Sequence, residues 1–401
     1  MMRTALHALG LSLALAAGTA AAQISNDVVR IGILEDMSGL YSDITGEGSV
    51  EAARMAVADF GGTVLGKRIE IVSADHQNKA DIGSAIARKW IDAEGVDMIT
   101  GLGNSAVALA TYQIGRDKGK PIIVSGAAST RLTGDQCSPF GIHWTYDTHA
   151  LAKGTGIAVV KAGGDSWFFL TADYAFGHSL EKDVGDTVRA HGGKVVGAVR
   201  HPLNTSDFSS FLLQAQASKA KIIGLANAGG DTINSIKQAS EFGIARGGQT
   251  LAGLLVFIND VHALGLPTSQ GLSLTESFYW DMDDQTRAWS RRYFDRLKKM
   301  PNMLQAGVYG AVLHYLKAVH ASGTDEGAKV MQTMRATPVN DFFTKNAKIR
   351  DDGRVMRDVY VFRVKTPAES KAPWDYYALV GKVPPEQAFR APADECPLVR
   401  K

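Results

Sequence analysis

The feature that most constrains this chain is an alternation, repeated along its length, of short apolar β-branched runs with stretches of helical period. Val28 to Leu34, Ile69 to Ala74, Val96 to Thr100 and Pro121 to Val124 are mostly apolar runs, interrupted by Arg30, Glu70 and Asp97, and read as strands buried on both faces in a parallel sheet. Between them Val50, Ala53, Val57 and Phe60, then Ile82, Ile86 and Trp90, fall on helical spacing. Strands separated in this way predict a doubly wound α/β domain. A second set follows, in which Trp167 to Leu170, Val195 to Val199, Ile222 to Ala226 and Leu251 to Phe257 read as strands, with helices near 176–190, 206–217 and 231–241. Two α/β lobes of similar construction are therefore expected, with no repeat strong enough to prove duplication. Beyond residue 275 the pattern changes to helices over 286–299 and 309–321 and short polar strands near 347–364. No Pro-, Gly- or Ser-rich linker parts the halves, so several close crossings, and not one tether, are expected to join them.

Residues 1–22 carry Arg3, an apolar run from Leu9 to Ala17, and Ala20-Ala21-Ala22 before Gln23. That order is the signature of a secretory signal peptide, cleaved here after Ala22. The run is about half the ~20 residues that span a bilayer, and no comparable stretch follows, so no direct membrane insertion is expected. No Cys follows it for lipid attachment, which points to free diffusion in a bacterial periplasm. The remaining chain is long enough for two domains. The full sequence's 43 Lys and Arg, 42 without Arg3, nearly balance 41 Asp and Glu, which argues against nucleic acid or an anionic membrane as partner. Cys137 and Cys396 are the two cysteines. They are too few for a zinc site. In an oxidising compartment the reading is a disulfide tying the C-terminal tail to a loop after the fourth strand, with two unrelated thiols as the alternative.

Several glycine-rich segments limit the chemistry. Gly61-Gly62-Thr63-Val64-Leu65-Gly66-Lys67-Arg68 nearly spells a phosphate-binding loop. It lacks the Ser or Thr that holds magnesium, and it runs from helix to strand, so it reads as a helix stop and turn. Gly101-Leu102-Gly103-Asn104-Ser105 sits where a dinucleotide fingerprint would, but no carboxylate follows about 20 residues on, and no nucleotide cofactor is expected. Asn104 and Ser105 are still candidate ligand contacts, because free amides at a helix start favour a carboxylate; simple helix capping is the other reading. Ala127, Ala128 and Ser129 follow the next strand. With Met37 and Tyr41 they are expected to line one wall, since ligands of open α/β sheets bind outside the carboxyl ends of the strands. In the second half, Tyr174, with Phe176, and Asn227 lie on strand-to-helix loops; the aromatics are placed either to stack on a ligand or to pack the core. His178 and Glu181 do not spell a zinc-binding H-E-x-x-H, no G-x-S-x-G is present, and no enzyme or metal site is expected.

Val29-Arg30-Ile31-Gly32-Ile33-Leu34 with Ser38-Gly39, the Gly62-to-Glu70 turn, Ser129-Thr130-Arg131-Leu132-Thr133 and Asp173-Tyr174-Ala175-Phe176-Gly177 together resemble the leucine/isoleucine/valine-type periplasmic binding proteins of ABC transporters. The resemblance covers nearly all of the chain after the signal peptide and rests on the order and spacing of these segments. It implies a type I periplasmic-binding fold, α/β, with two doubly wound parallel-sheet lobes. They would comprise residues 23–146 plus 277–357 and residues 147–276 plus 358–401, joined by a hinge of three crossings near 146, 276 and 357. Closure of the lobes around a solute, read by permease subunits in the inner membrane, would then be the mechanism. Amino-acid binders of this family hold the ligand ammonium with an acid just after the strand that ends here in Leu254-Leu255-Val256-Phe257-Ile258, and Phe257 stands in about that place. An apolar residue cannot compensate a buried ammonium, and Asp260, three residues on, is the alternative acid. With Trp144, Tyr146 and Tyr174, this predicts a small-molecule carboxylate ligand with an aromatic body. His143 to Thr148 and Phe278 to Asp281 look like the family branch associated with benzoate- and phenylpropenoate-type compounds. Branched-chain or other amino acids, short amides, and a sensor without transport are the alternatives; for the aromatic segments, hinge packing is the alternative.

Overall fold

The structure is a computed structural model that describes residues 24–392 and 395–399. The expected signal peptide, residues 1–22, lies outside the described residues. Six strands form the first sheet: β1 (Val28–Glu35), β2 (Thr63–Val64), β3 (Lys67–Asp75), β4 (Met98–Gly101), β5 (Ile122–Val124) and β6 (Gly141–His143). Their order is β2-β3-β1-β4-β5-β6, parallel throughout except for the β2–β3 hairpin. Helices Gly46–Phe60, Ala80–Ala93 and Ser105–Lys118 make the crossovers. β1 is buried at every position but Arg30, which reaches Glu70 on β3 with Nε 2.8 Å from its carboxylate. β3 departs from expectation. Its residues are half-buried, because its outer neighbour is the two-residue β2 and little covers that flank. The glycine-rich turn is the helix stop foreseen: Gly61 and Gly62, at φ 109° and 77°, end the helix Gly46–Phe60, and Gly66, at φ 77°, closes the hairpin into β3, left-handed angles that glycine adopts without strain.

The second sheet holds β7 (Ser166–Ala172), β8 (Lys194–His201), β9 (Ile222–Ala226) and β10 (Thr250–Gly253) in the order β10-β9-β7-β8, all parallel. Helices Ala175–Ala190, Ser209–Ala217 and Gly229–Glu241 connect them. β10 stops at Gly253, four residues short of the expected strand. Asp260 turns its carboxylate back to accept the Phe257 amide at 2.9 Å, so the helix Ile258–Leu264 starts there and Leu254 to Phe257 become a buried loop.

Then come β11 (Ser273–Glu276), helices Asp284–Leu297, Met303–Ser322 and Gly327–Ala336, and the strands β12 (Lys348–Ile349), β13 (Val355–Met356), β14 (Val359–Val364) and β15 (Tyr377–Val383). β11-β14-β15 form an antiparallel sheet. The helix starting at Met303 begins six residues before the expected one. Asn302 and Gln305 cap it reciprocally, the Asn302 side chain accepting the Leu304 amide at 2.9 Å and the Gln305 side chain accepting the Asn302 amide at 3.0 Å, an arrangement that apolar period does not register. This helix is buried on most of its surface and packs on Gly46–Phe60 of the first sheet.

The chain thus leaves the first sheet after β6, returns after β11 and leaves again between β13 and β14. Arg354, fully buried, ties the first and third passages: its Nη1 donates to the Tyr146 carbonyl at 2.8 Å, and its guanidinium lies 3.7 Å from Asp147 and 4.5 Å over the Phe389 ring. Most of the aromatic residues of His143 to Thr148 and Phe278 to Asp281 serve packing. Trp144 is fully buried beside His314, and Phe278 meets Trp289, Phe342 and Phe343 edge-on. Cys137 and Cys396 form a disulfide with Cα atoms 5.6 Å apart, and Arg390 donates to the Thr130 carbonyl at 2.5 Å, so the tail is fastened to the loop between β5 and β6. Opening this 259-residue separation by Cys396→Ser is expected to cost about 2 kcal/mol, as a disulfide closing a long loop restrains the unfolded chain. Denaturant unfolding of the variant against the oxidised parent measures it; equal midpoints would assign the bridge no stabilising role.

Candidate functional site

The carboxyl ends of β1, β4 and β5 and those of β7, β9 and β10 face one another across a narrow cavity. It is lined by Tyr41, Ile44, Gly103, Gly126, Ala128, Tyr146, Tyr174, Phe176, Ala228, Leu255, Phe257 and Leu304. Its free interior is only about 10 Å3, room for about one water, so an organic ligand enters only when the walls part. Larger grooves exist, among them an apolar one of about 550 Å3 bordered by Ile222, Thr250 and Leu251 at the amino ends of β9 and β10, the ends where ligands of parallel sheets do not bind.

The polar equipment of the cavity is three tyrosine hydroxyls. Tyr41 and Tyr174, one from each sheet's loops, meet at 2.7 Å, and Tyr146 donates to the Gly126 carbonyl at 2.9 Å. No charged side chain is part of the lining. Aromatic faces dominate the remainder, with Tyr174 and Phe176 centroids 5.9 Å apart. The acid nearest in sequence to Phe257 is Asp260. It is fully buried, with burial pushing its carboxyl up to about 7, and it is occupied in capping its own helix.

Five of the sequence candidates meet in this lining: Tyr41, Ala128, Tyr146, Tyr174 and Phe257. The others are occupied nearby. Asn104 caps the helix Ser105–Lys118, accepting the Ala106 and Val107 amides at 2.9 and 3.2 Å, so two of the amides read as free for a carboxylate are already satisfied. The Ser105 hydroxyl accepts the Ser129 amide at 3.3 Å, while the Ser129 hydroxyl pairs with Ser179 of the other half at 2.7 Å. The Ala127 carbonyl holds His143 Nε2 at 2.8 Å. Asn227, fully buried, bonds Thr232 at 2.8 Å and His201 at 3.2 Å. Met37 packs at the border of the first core. Sequence reasoning passed over Ile44, at the far end of the loop after β1 that also carries Tyr41, and Leu304, in the first turn of the helix starting at Met303 and outside any strand-end loop.

Beneath Gly103 lies Glu35, fully buried at the end of β1, its carboxyl accepting the Gly103 amide at 2.8 Å and the Ser49 hydroxyl at 3.0 Å. Burial, the largest influence, raises its pKa from 4.5 to about 8. Between those two values the unfolded chain has lost a proton that the folded chain keeps, so this group makes stability fall as pH rises, by up to about 1.4 kcal/mol per pH unit. Glu35→Gln is expected to flatten the decline between pH 5 and pH 8. Parallel slopes for variant and parent in urea unfolding would show that Glu35 is ionised in the fold.

Two facing parallel sheets with a small site at the carboxyl ends of their strands define a two-lobed solute-binding protein. Residues 28–371 match the family described as periplasmic binding protein, and the chain belongs to that family, whose members serve ABC transporters. It is 57% identical to a periplasmic binding protein from Burkholderia mallei, with a TM-score of 0.91 over 93% of this chain and 100% of that one. It is 40% identical to a branched chain amino acid ABC transporter periplasmic ligand-binding protein from Burkholderia xenovorans, TM-score 0.80, covering 92% and 99% of the two chains. A solute binding protein of R. palustris in complex with benzoate shares the fold at 22% identity, TM-score 0.80, covering 89% and 97%.

Proposed function

We propose that this protein is the extracytoplasmic component of an ABC import system that captures a small organic carboxylate, an aromatic acid of benzoate or phenylpropenoate type, and presents it to a membrane permease. Residues 23–146 plus 277–357 and residues 147–276 plus 358–401 act as the two lobes, and closure on the ligand favours the state the permease reads. One observation carries the ligand class: Phe257 forms the second-lobe wall of a cavity whose lining has no charge, while Asp260 points away to cap its helix. A ring lies against Tyr174, Phe176 and Phe257, and the carboxylate is met by the one hydroxyl of the Tyr41–Tyr174 pair whose proton the other does not take, with Tyr146 joining it on release from the Gly126 carbonyl. An α-amino acid would leave its ammonium without a counter-charge here, at a cost of several kcal/mol. The branched-chain name of the 40% identical relative favours the second reading, an aliphatic amino acid.

A thermal-shift screen of benzoates, phenylpropenoates, leucine and short amides separates the two, because a bound ligand stabilises the folded state by mass action. The aromatic acids are expected to raise the midpoint; stabilisation by leucine with none by the aromatic acids would reverse the assignment. Amino-terminal sequencing of secreted protein checks that the chain begins at Gln23.

A further inference from the structure

We infer a second ligand site on the hinge, sharing no lining residue with the strand-end cavity, at which the Arg357 guanidinium binds a small oxyanion, a carboxylate or inorganic phosphate. Arg357 is 5% exposed, and none of its three guanidinium nitrogens has a hydrogen-bond partner among the described residues. Its faces are covered: the guanidinium carbon lies 4.8 Å over the Phe343 ring and 5.7 Å over that of Trp144. Ring faces attract the charge but accept none of the in-plane N–H groups, so the planar edge, the part that grips an oxyanion bidentately, is left unused.

Burial lowers the pKa of Arg357 only to about 10, so the group is charged at neutral pH. A buried charge needs pairing. Asp341 is the acid acting on it, yet the two form no ion pair; Asp341 spends Oδ1 on the Phe343 and Thr344 amides at 2.9 and 2.6 Å, and its buried Oδ2 is without a partner among the described residues. Arg357 instead borders a cleft of about 720 Å3 that Ser277 and Lys348 also line, and Asp341 does not. Of the cleft's acids, Asp358 is paired with Lys382 at 2.6 Å and Asp283 caps the helix Asp284–Leu297 by accepting the Thr286 amide at 2.8 Å; Asp351 and Glu386 sit exposed on the rim. Trp144, Ser277 and Arg357 belong to the three successive passages between the sheets, so an anion held here bears on the segments that bend when the lobes move.

The test uses the full secreted chain and inorganic phosphate, at ionic strength held constant with sodium chloride. The thermal midpoint of the parent is expected to rise saturably with phosphate. R357M is expected to lose that response while still binding benzoate at the strand-end cavity, and Phe257→Glu to keep it. If R357M does not fold, R357K carries the test, retaining the charge but losing the fork, with the apparent Kd for phosphate at least tenfold weaker. Acetate in a parallel titration tells a carboxylate preference from a phosphate one. An equal response in parent and Arg357 variants, a response to neither anion, or crystals grown in phosphate that show water alone at Arg357 would each overturn the inference.

Discussion

Phe257→Glu is expected to abolish binding of benzoate-class acids, raising Kd by about a thousandfold in isothermal titration near neutral pH. The side chain is fully buried in the cavity wall, so the new carboxylate would face the ligand with little water between. Two like charges about 4 Å apart repel by about 4 kcal/mol at an effective dielectric constant near 20, and each 1.4 kcal/mol is about tenfold in affinity. The new acid also has an alternative to repulsion: burial favours its neutral form, so part of the lost affinity should return as pH is lowered toward 5. The same carboxylate supplies the counter-charge that an ammonium needs, and leucine should bind the variant better than it binds the parent. Unchanged affinity for aromatic acids would remove Phe257 from the site and, with it, the argument for the ligand class.

Gly177→Ala is expected to destabilise the fold by at least about 3 kcal/mol and to weaken ligand binding as well. A methyl group on Gly177 would stand 2.0 Å from the Ala172 carbonyl oxygen, 2.9 Å from its carbonyl carbon and 3.1 Å from its nitrogen. All three are backbone atoms of β7, which is held between β8 and β9, so the strand cannot yield and the helix Ala175–Ala190 must shift. The gain in helix propensity, about 1 kcal/mol for Ala over Gly, is smaller than the cost of so close a contact, which exceeds ordinary overpacking. Tyr174 and Phe176 move with the helix start, which is why binding should fall too. Gly185→Ala on the same helix is the control: its nearest contact would be 3.4 Å, to the end of the Arg189 side chain, and it should be neutral or slightly stabilising. Equal effects of the two substitutions in urea unfolding would refute the steric account.

Much of the fold was legible because its signals are local. Mostly apolar runs such as Val28 to Leu34 and Ile222 to Ala226 mark strands covered on both sides, and helix period marks their crossovers. The two strand misreadings differ in cause. Reading β3 as fully buried passes over the alternation of Ile69, Glu70 and Ile71, the period of a strand covered on one face. Leu254 to Phe257 continued an apolar run, and only the cap from Asp260 to the Phe257 amide ends β10 before them. β6, β11 and β15 and the helix Gly327–Ala336 are short or mixed in composition and were not foreseen.

The candidate site was legible to the extent that strand order implies it. Loops after β1, β4, β5, β7 and β9 were expected to converge, and they do, since parallel sheets place their carboxyl ends on one edge. Which side chains enter the cavity was decided by competing local bonds: Asn104, Ser129 and Asn227 have the right chemistry but are satisfied by a helix start, by Ser179 and by Thr232. By itself, then, the sequence determined the alternating α/β architecture and the Cys137–Cys396 pairing as its preferred reading, and its family resemblance put the apolar Phe257 at about the place where amino-acid binders carry an acid. The tertiary structure alone decided that Asp260 caps its own helix and that Ile44 and Leu304 join the cavity wall. Period and propensity act over a few residues, whereas these outcomes depend on which distant groups arrive within hydrogen-bonding or van der Waals reach once the lobes are packed.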